Sequence, residues 1–169
     1  LPEALREMAR AHWTEIAPQL VQLEPGDWRY SAPKVLALSE FVLRACQSRP
    51  QLLPELMRSG DLLRAYAPGE LATRVRHSIA ACDDEAALKS VLRQLRQREL
   101  VRLAWRDLAG WANLEEVVRT LSALADACLD AALAKLYAWA VAREGVPREQ
   151  GTAIAAKFVV LGMGKLGGE

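Results

Sequence analysis

Hydrophobic residues recur at three- and four-residue steps along most of the chain, which is the spacing of one buried face on an α-helix. This pattern predicts a first helix over 2–23 and a second over 31–49, with Ser31 as the cap of the second. Two shorter helices are predicted over 52–57 and 70–81, because turn residues rich in glycine and proline separate them. The first half of the chain is therefore predicted to form several short, amphipathic helices.

Two long helices are predicted next. The acidic residues of 82–85 open the first, where the positive end of the helix dipole favours negative charge, and Gly110 ends it. Asn113 is the predicted cap of the second, which ends at Arg143. The apolar residues that recur along this last helix predict its buried face: Leu114, Val117, Val118, Leu121, Leu124, Ala125, Cys128, Ala132 and Leu136.

Composition adds little to this picture. Of the 169 residues, 51% are hydrophobic and 25% are charged, with a net charge of +1, so there is no overall attraction to nucleic acid or to an anionic membrane. No apolar run is long enough to predict a transmembrane helix. The cysteines are three and widely spaced, which favours small core residues over disulfides or a metal site, and neither histidine has a ligand-like neighbour.

A basic row lies on the first long helix. Arg98, Arg102 and Arg106 are four residues apart and share one helix face. The row predicts either a surface that meets phosphate or an acidic partner, or an ordinary solvated face with local pairs such as Glu99 with Arg102. The second interpretation is favoured, because charged rows are usually surface.

The pattern changes near the end of the chain. Phe158 to Leu161 have the aromatic, β-branched and aliphatic composition of a buried strand. Glycines 162, 164, 167 and 168 follow together with Lys165. Glycine lets a ligand approach the backbone closely, and exposed N–H groups beside an ammonium suit a phosphate group. A strand followed by such a turn predicts a nucleotide site.

This motif has several interpretations. A phosphate loop of the G-x-x-x-x-G-K-[ST] type is excluded, because Leu166 follows Lys165 where a hydroxyl is required. A dinucleotide-binding start fits the spacing Gly162-x-Gly164-x-x-Gly167, and a plain glycine-rich turn fits as well. Two functions from other classes thus stay open: a Rossmann-type dinucleotide-binding protein, and a helical protein-interaction module without catalysis.

The sequence Val-Leu-Gly-Met-Gly-Lys-Leu-Gly-Gly-Glu at 160–169 resembles the opening of a nucleotidyltransferase domain in the bifunctional glutamine synthetase adenylyltransferase/adenylyl-removing enzyme family. Residues 95–108 and 121–129 also resemble helices of that family. The residues of the glycine motif are more similar to those of the amino-terminal, adenylyl-removing half of these enzymes than to those of the other half.

The resemblance implies a function in the control of nitrogen metabolism. Such enzymes transfer AMP from ATP to a tyrosine of glutamine synthetase, and remove it by phosphorolysis to give ADP. The implied cofactors are Mg²⁺ and ATP or ADP in the full-length enzyme. The implied partners are glutamine synthetase and a regulatory signalling protein, in the cytoplasm, with neither nucleic acid nor membrane.

By the same resemblance, Gly164, Lys165, Gly167 and Gly168 are the expected nucleotide- or phosphate-binding residues. The family's metal-binding carboxylates follow the Gly-Gly-Glu motif in an Asp-x-Asp pattern, and we expect neither catalytic nor metal-binding residues within 1–169. Residues 1–169 alone are therefore expected to be inactive.

The predicted fold is mainly α: a multi-helix bundle with two long antiparallel helices joined at 111–112, followed by the first strand of an α/β nucleotidyltransferase domain. The predicted division is a helical region over 1–156 and a truncated start of the nucleotidyltransferase domain over 157–169.

Overall fold

The computed structural model describes residues 3–20, 26, 28–156 and 158–162, and this part of the chain is mainly helical, as predicted. One short 3₁₀-helix lies at Ala17–Leu20. The α-helices, in chain order, are α1 (Glu3–Ile16), α2 (Trp28–Leu38), α3 (Glu40–Ser48), α4 (Leu52–Arg58), α5 (Glu70–Ile79), α6 (Glu85–Ala109) and α7 (Leu114–Glu144).

The long helices begin and end where the sequence predicts. Asp84 caps α6, because its Oδ1 accepts a hydrogen bond from the backbone N–H of Ala87 at 2.7 Å. Gly110 ends α6 with φ of 79°, a left-handed conformation that glycine adopts without strain. Asn113 caps α7 by accepting from the N–H of Glu116 at 2.8 Å. Local capping chemistry therefore sets these bounds.

The helix predicted over 31–49 is wrong in its details. The chain is helical from Trp28, and Ser31 lies inside α2, where its hydroxyl donates to the Trp28 carbonyl at 3.0 Å. The helix breaks at Ser39, whose side chain accepts from the N–H of Val42 and caps a separate α3. A serine that satisfies the first N–H groups of a helix makes this break inexpensive.

Helix α6 joins two hydrophobic clusters. Its carboxyl-terminal half, through Val101 and Trp105, packs with α2, α3 and α4 in the larger cluster. Its amino-terminal half, through Leu88, packs with α5 and α7 in the second cluster. The Trp105 indole also donates to the Ser31 hydroxyl at 3.0 Å, which gives this buried ring a hydrogen-bond partner.

The buried face of α7 differs from the predicted one. Leu114 is 76% exposed, and Val118, Leu121 and Leu136 are exposed as well. The residues that α7 buries are Leu124, Ala127 and Ala131. Alanine lets α7 pack closely against α5 and α6, so the contact forms along the small residues rather than along the larger apolar ones.

The predicted strand at 158–161 is not formed in the described part of the chain: these residues are exposed and have no regular secondary structure. A strand is stable only with a partner strand or a packed face, and the described residues contain only one isolated antiparallel bridge, between Arg148 and Ala155. The antiparallel arrangement of the two long helices stays a prediction.

Candidate functional site

The sequence-predicted phosphate-binding residues Gly164, Lys165, Gly167 and Gly168 lie outside the described residues. The structure follows the chain toward them as far as Gly162. Phe158 to Leu161 present their side chains to solvent, with exposed fractions between 49% and 82%. An apolar run this exposed is available to pack against further structure.

A tight reversal precedes this run. Residues 147–156 double back on themselves, with the N–H of Ala156 donating to the Pro147 carbonyl and the N–H of Glu149 donating to the Ile154 carbonyl, both at 2.9 Å. Gly151 takes φ of 76° at the turn. Residues 150–152 therefore lie at the tip of a small hairpin.

The exposed run returns to the end of α7. Phe158 and Ala156 line a cavity of about 310 Å³ together with Tyr137, Val141 and Gly145. Phe158, the first residue of the exposed run, therefore lies beside the carboxyl-terminal turn of α7.

The main polar site of the described chain is a buried arginine cluster between the turn after α4, helix α5 and helix α6. Asp61 is fully buried at its centre. It accepts from both terminal nitrogens of Arg74, at 2.8 and 2.9 Å, from Arg98 at 2.6 Å and from Arg64 at 3.0 Å. Three guanidinium groups on one carboxylate offset the cost of burying its charge.

These charges fix the pKa of Asp61. Burial alone would raise it, but the hydrogen bond from Arg98 and the positive charges of Arg74 and Arg98 prevail, so the pKa lies below its ordinary value. The pKa of Glu70 is also held well below its usual range, chiefly by its hydrogen bonds from Arg64. Both carboxylates are ionised at neutral pH.

Tyr66 packs against the guanidinium groups of the buried arginine cluster. The Arg102 guanidinium lies 3.7 Å from the centroid of its ring, and Arg74 and Arg64 lie at 4.8 and 5.2 Å. Its hydroxyl donates to Glu99 Oε1 at 3.2 Å. Burial, followed by the charge of Glu99, raises the pKa of the phenol to about 12, so Tyr66 is neutral under physiological conditions.

Both sequence-based interpretations of the basic row are wrong for Arg102 and Arg106, because these side chains are buried. Arg102 donates to the carbonyls of Asp61 and Arg64, and Arg106 donates to the Leu62 carbonyl at 3.1 Å and pairs with Glu116. The arginines of this row therefore link α6 to the turn after α4 by hydrogen bonds.

A signal for this burial exists in the sequence. Glu99, Arg102 and Arg106 continue the four-three spacing of the core positions Leu92 and Leu95, so they occupy the inner face of α6. The partners of Arg102 could not be assigned from local spacing, since the accepting carbonyls of Asp61 and Arg64 lie 41 and 38 positions earlier in the chain.

Cysteines 46, 82 and 128 are free thiols, the first two buried, as expected for small core residues. Burial raises the pKa of the Cys46 thiol to about 12, so it carries no reactive thiolate. Within the described ranges, no group of three or more His, Cys, Asp or Glu side chains could hold a metal ion. Within those ranges also, no helix is long and apolar enough to cross a membrane.

Comparison with known proteins identifies the family to which this chain is similar. A family model described as glutamate-ammonia ligase adenylyltransferase matches residues 30–169. The chain is similar to the bifunctional glutamine synthetase adenylyltransferase/adenylyl-removing enzyme of Nitrosococcus oceani, at 47% identity over 133 residues, which is 79% of this chain and 14% of that protein.

Proteins of the same name from two other bacteria agree with this match. The one from Thioalkalivibrio sulfidiphilus is 46% identical over 141 residues, covering 83% of this chain and 14% of the relative. The one from Pseudomonas syringae is 36% identical over 165 residues, covering 96% of this chain and 17% of the relative. The chain thus spans only a small part of the length of the relatives it matches.

Proposed function

The chain belongs to the glutamate-ammonia ligase adenylyltransferase family, and on that ground we propose that it is the amino-terminal part of a bifunctional enzyme that attaches AMP to glutamine synthetase and removes it again. The observation that carries this proposal is the family match over 30–169. The relatives bear both activities in their name, and this chain corresponds to 14% of the length of the Nitrosococcus oceani protein.

Within that enzyme we assign the chain to the adenylyl-removing half. Residues 1–156 would be a helical region, with the two long helices antiparallel, and 157–169 would begin the nucleotidyltransferase domain. The exposed apolar side chains of 158–161 support this division, because further strands of a sheet would pair with their backbone and cover them.

The proposed phosphate-facing residues are those of the glycine motif. Gly164, Gly167 and Gly168 would present backbone N–H groups to a nucleotide or to inorganic phosphate, and their lack of a side chain would permit close approach. Lys165 would add a positive charge beside them. This part of the site binds and orients phosphate, and supplies no proton-transfer group.

The described residues do not fit a magnesium site, because no set of carboxylates converges in them. We therefore derive no step through a metal ion in this chain. Residues 1–169 by themselves should bind nucleotide weakly and turn over none, since phosphoryl transfer in this family is expected to need both the phosphate-facing turn and metal-held carboxylates.

The proposed substrates are glutamine synthetase with ATP in one direction, and adenylylated glutamine synthetase with phosphate in the other. A regulatory signalling protein of nitrogen metabolism is the proposed additional partner, and the cytoplasm the proposed compartment.

A chimera tests this function. Residues 30–169 would replace the matching segment of the Nitrosococcus oceani relative, and both adenylylation of glutamine synthetase and phosphorolytic removal of AMP would be measured. We expect both activities within about tenfold of the parent enzyme, since a related segment should fill the same place in the fold. A folded chimera that lacks phosphorolysis would refute the assignment.

A further inference from the structure

A row of large apolar side chains lies on the outer surface of α7. We call it the outer row, and its members, with exposed fractions between 40% and 76%, are Leu114, Val118, Leu121, Leu129 and Leu136. Their helical spacing keeps them on one face along about 33 Å of the helix. The alanine face of α7 is already packed, so α7 is apolar on two faces and covered on one. A helix of this kind is normally covered on both faces.

A groove beside the outer row makes this surface concave. Phe41 of α3, Leu100 and Leu103 of α6, and Val117 and Leu121 of α7 line a cavity of about 340 Å³. The rings and methyl groups at its edges are open to solvent, since Phe41 is 46% exposed and Leu121 is 42% exposed. A concave apolar surface between two helices fits the apolar stripe of a third helix. An exposed patch of this kind marks an interaction site.

Basic side chains continue the α6 wall of this groove. Arg93 and Arg96 precede Leu100 and Leu103 at the same helical spacing, so they share the face that lines the groove. Arg96 lies near α7, because its charge acts on the Cys128 thiol. Both arginines are exposed, and within the described chain neither has a hydrogen bond or an ion pair with another side chain. Acidic residues of a partner would satisfy them.

The other charges that border this surface are acidic or already paired. Asp107 lines the groove beyond the leucines of α6. Glu115 and Arg119, on the solvent side of the outer row, pair with each other. Asp126 lies on that side too, and it has no ion-pair partner among the residues that the structure describes. The border is therefore basic on the α6 side at 93–96 and acidic across from it, which a partner with acidic residues on one flank and basic residues on the other would match.

We propose that an amphipathic helix from the remaining part of the same polypeptide packs into the groove between α6 and α7, with its apolar stripe on the outer row and acidic residues facing Arg93 and Arg96. This inference rests on the function proposed above, in which the chain is one part of a longer enzyme. The chain corresponds to 14% of the Nitrosococcus oceani protein, so most of that polypeptide is available to supply the helix. A long and largely apolar contact is typical of permanent interfaces, which favours the same polypeptide over a transient partner.

Cysteine reactivity measures whether the outer row is covered. Leu121→Cys places a thiol in the groove, and Ala123→Cys places one on an exposed part of α7 outside the outer row. Each change is made in residues 1–169 and in the chimera described above. Alkylation by N-ethylmaleimide is followed by the mass of the labelled peptide, so other cysteines do not interfere. Leu121→Cys should react about tenfold or more slowly in the chimera than in residues 1–169, and Ala123→Cys equally in both.

Charge and concentration identify what covers the row. In the chimera that carries Leu121→Cys, Arg96→Glu should raise the alkylation rate about threefold or more, because like charges would then face each other. Arg76→Glu, which changes a charge on the α5 side of α7, should leave that rate unchanged. Equal effects of the two charge changes would overturn the proposal. A rate that falls in residues 1–169 alone as their concentration rises would overturn it too, because a second copy would then cover the row.

The two AMP-transfer activities of the same chimera separate this inference from the proposed function. An active chimera in which the Leu121→Cys thiol reacts as fast as in residues 1–169 would refute the covering helix and leave the proposed function standing. A chimera that lacks phosphorolysis while this thiol is protected would support the covering helix and refute the proposed function.

Discussion

Asp61 and Arg74 form a two-pronged ion pair inside the protein, with Nη1 of the arginine 2.9 Å from Oδ2 and Nη2 2.8 Å from Oδ1. The aspartate stands in the turn after α4 and the arginine on α5, so the pair fixes that turn on the helix. Arg98 adds a third link, from α6, at 2.6 Å.

Asp61→Asn should be strongly destabilising. The neutral amide would remove the charge that Arg74 and Arg98 share and leave the buried side chain with poorer hydrogen bonds. Glu70 still pairs with Arg74 and Glu99 with Arg98, so the loss should be about 2–3 kcal/mol in the free energy of unfolding. Urea unfolding of the two proteins measures the difference. Glu40→Gln is the matched control, because it breaks the exposed Arg44–Glu40 pair and should change stability by less than about 1 kcal/mol. Equal effects of the two changes would show that the cluster does not hold the fold.

The same carboxylate should make stability depend on acid pH. The pKa of Asp61 is lower in the folded chain than its ordinary value of 3.8, so the unfolded chain binds more protons at low pH. Its contribution is therefore complete above that value and is lost as pH falls below it. Urea unfolding between about pH 6 and about pH 2 should show a decline that is shallower in Asp61→Asn. Parallel curves would contradict this assignment.

Ser31 and Trp105 provide a second test of the packing. Ser31→Ala removes the acceptor of a buried indole N–H and should cost about 1–3 kcal/mol. Trp105→Phe removes the donor together with part of the ring. If the Ser31–Trp105 hydrogen bond contributes to stability, the double variant should lose less stability than the two single variants lose together. Additive losses would show that the hydrogen bond makes no net contribution.

The buried face of α7 can be tested by two leucines. Leu124 is 5% exposed and Leu114 is 76% exposed, although both belong to the apolar row that the sequence predicts to be buried. Leu124→Ala should cost about 2–5 kcal/mol, whereas Leu114→Ala should change stability by about 0.5 kcal/mol or less. Thermal or urea unfolding measures the stability of both variants. A large loss of stability in Leu114→Ala would support the buried face that the sequence predicts.

Local signals in the sequence were sufficient for the parts of the fold that depend on neighbours in the chain. Asn113 and Gly110 mark the connection between α6 and α7 because a cap and a left-handed glycine act within one turn of the helix. Ser39 carries the same kind of signal, but the continuous apolar spacing from α2 into α3 obscured it.

Contacts between distant residues were beyond such signals. Arg102 looked like a surface residue because its partners, the carbonyls of Asp61 and Arg64, lie about forty positions earlier and become neighbours only in the folded chain. On α7, the helical spacing of apolar residues could not show whether the face with the leucines or the face with the alanines is buried. Close packing with α5 selected the smaller side chains.

The glycine motif was informative for a different reason. Its resemblance to a known family identified the family that the comparison then matched over 30–169. The phosphate-binding roles of Gly164, Lys165, Gly167 and Gly168 stay predictions, and they are what the function depends on.

The most direct measurement is the rate of phosphorolytic AMP removal by the chimera in which Gly167 is changed to Val. A side chain at this position should obstruct the approach of phosphate, so the rate should fall about tenfold or more. Adenylylation by the other half should stay within about twofold, which would show that the chimera is folded. Unchanged phosphorolysis, or loss of adenylylation in its place, would contradict the assignment of this chain to the adenylyl-removing half.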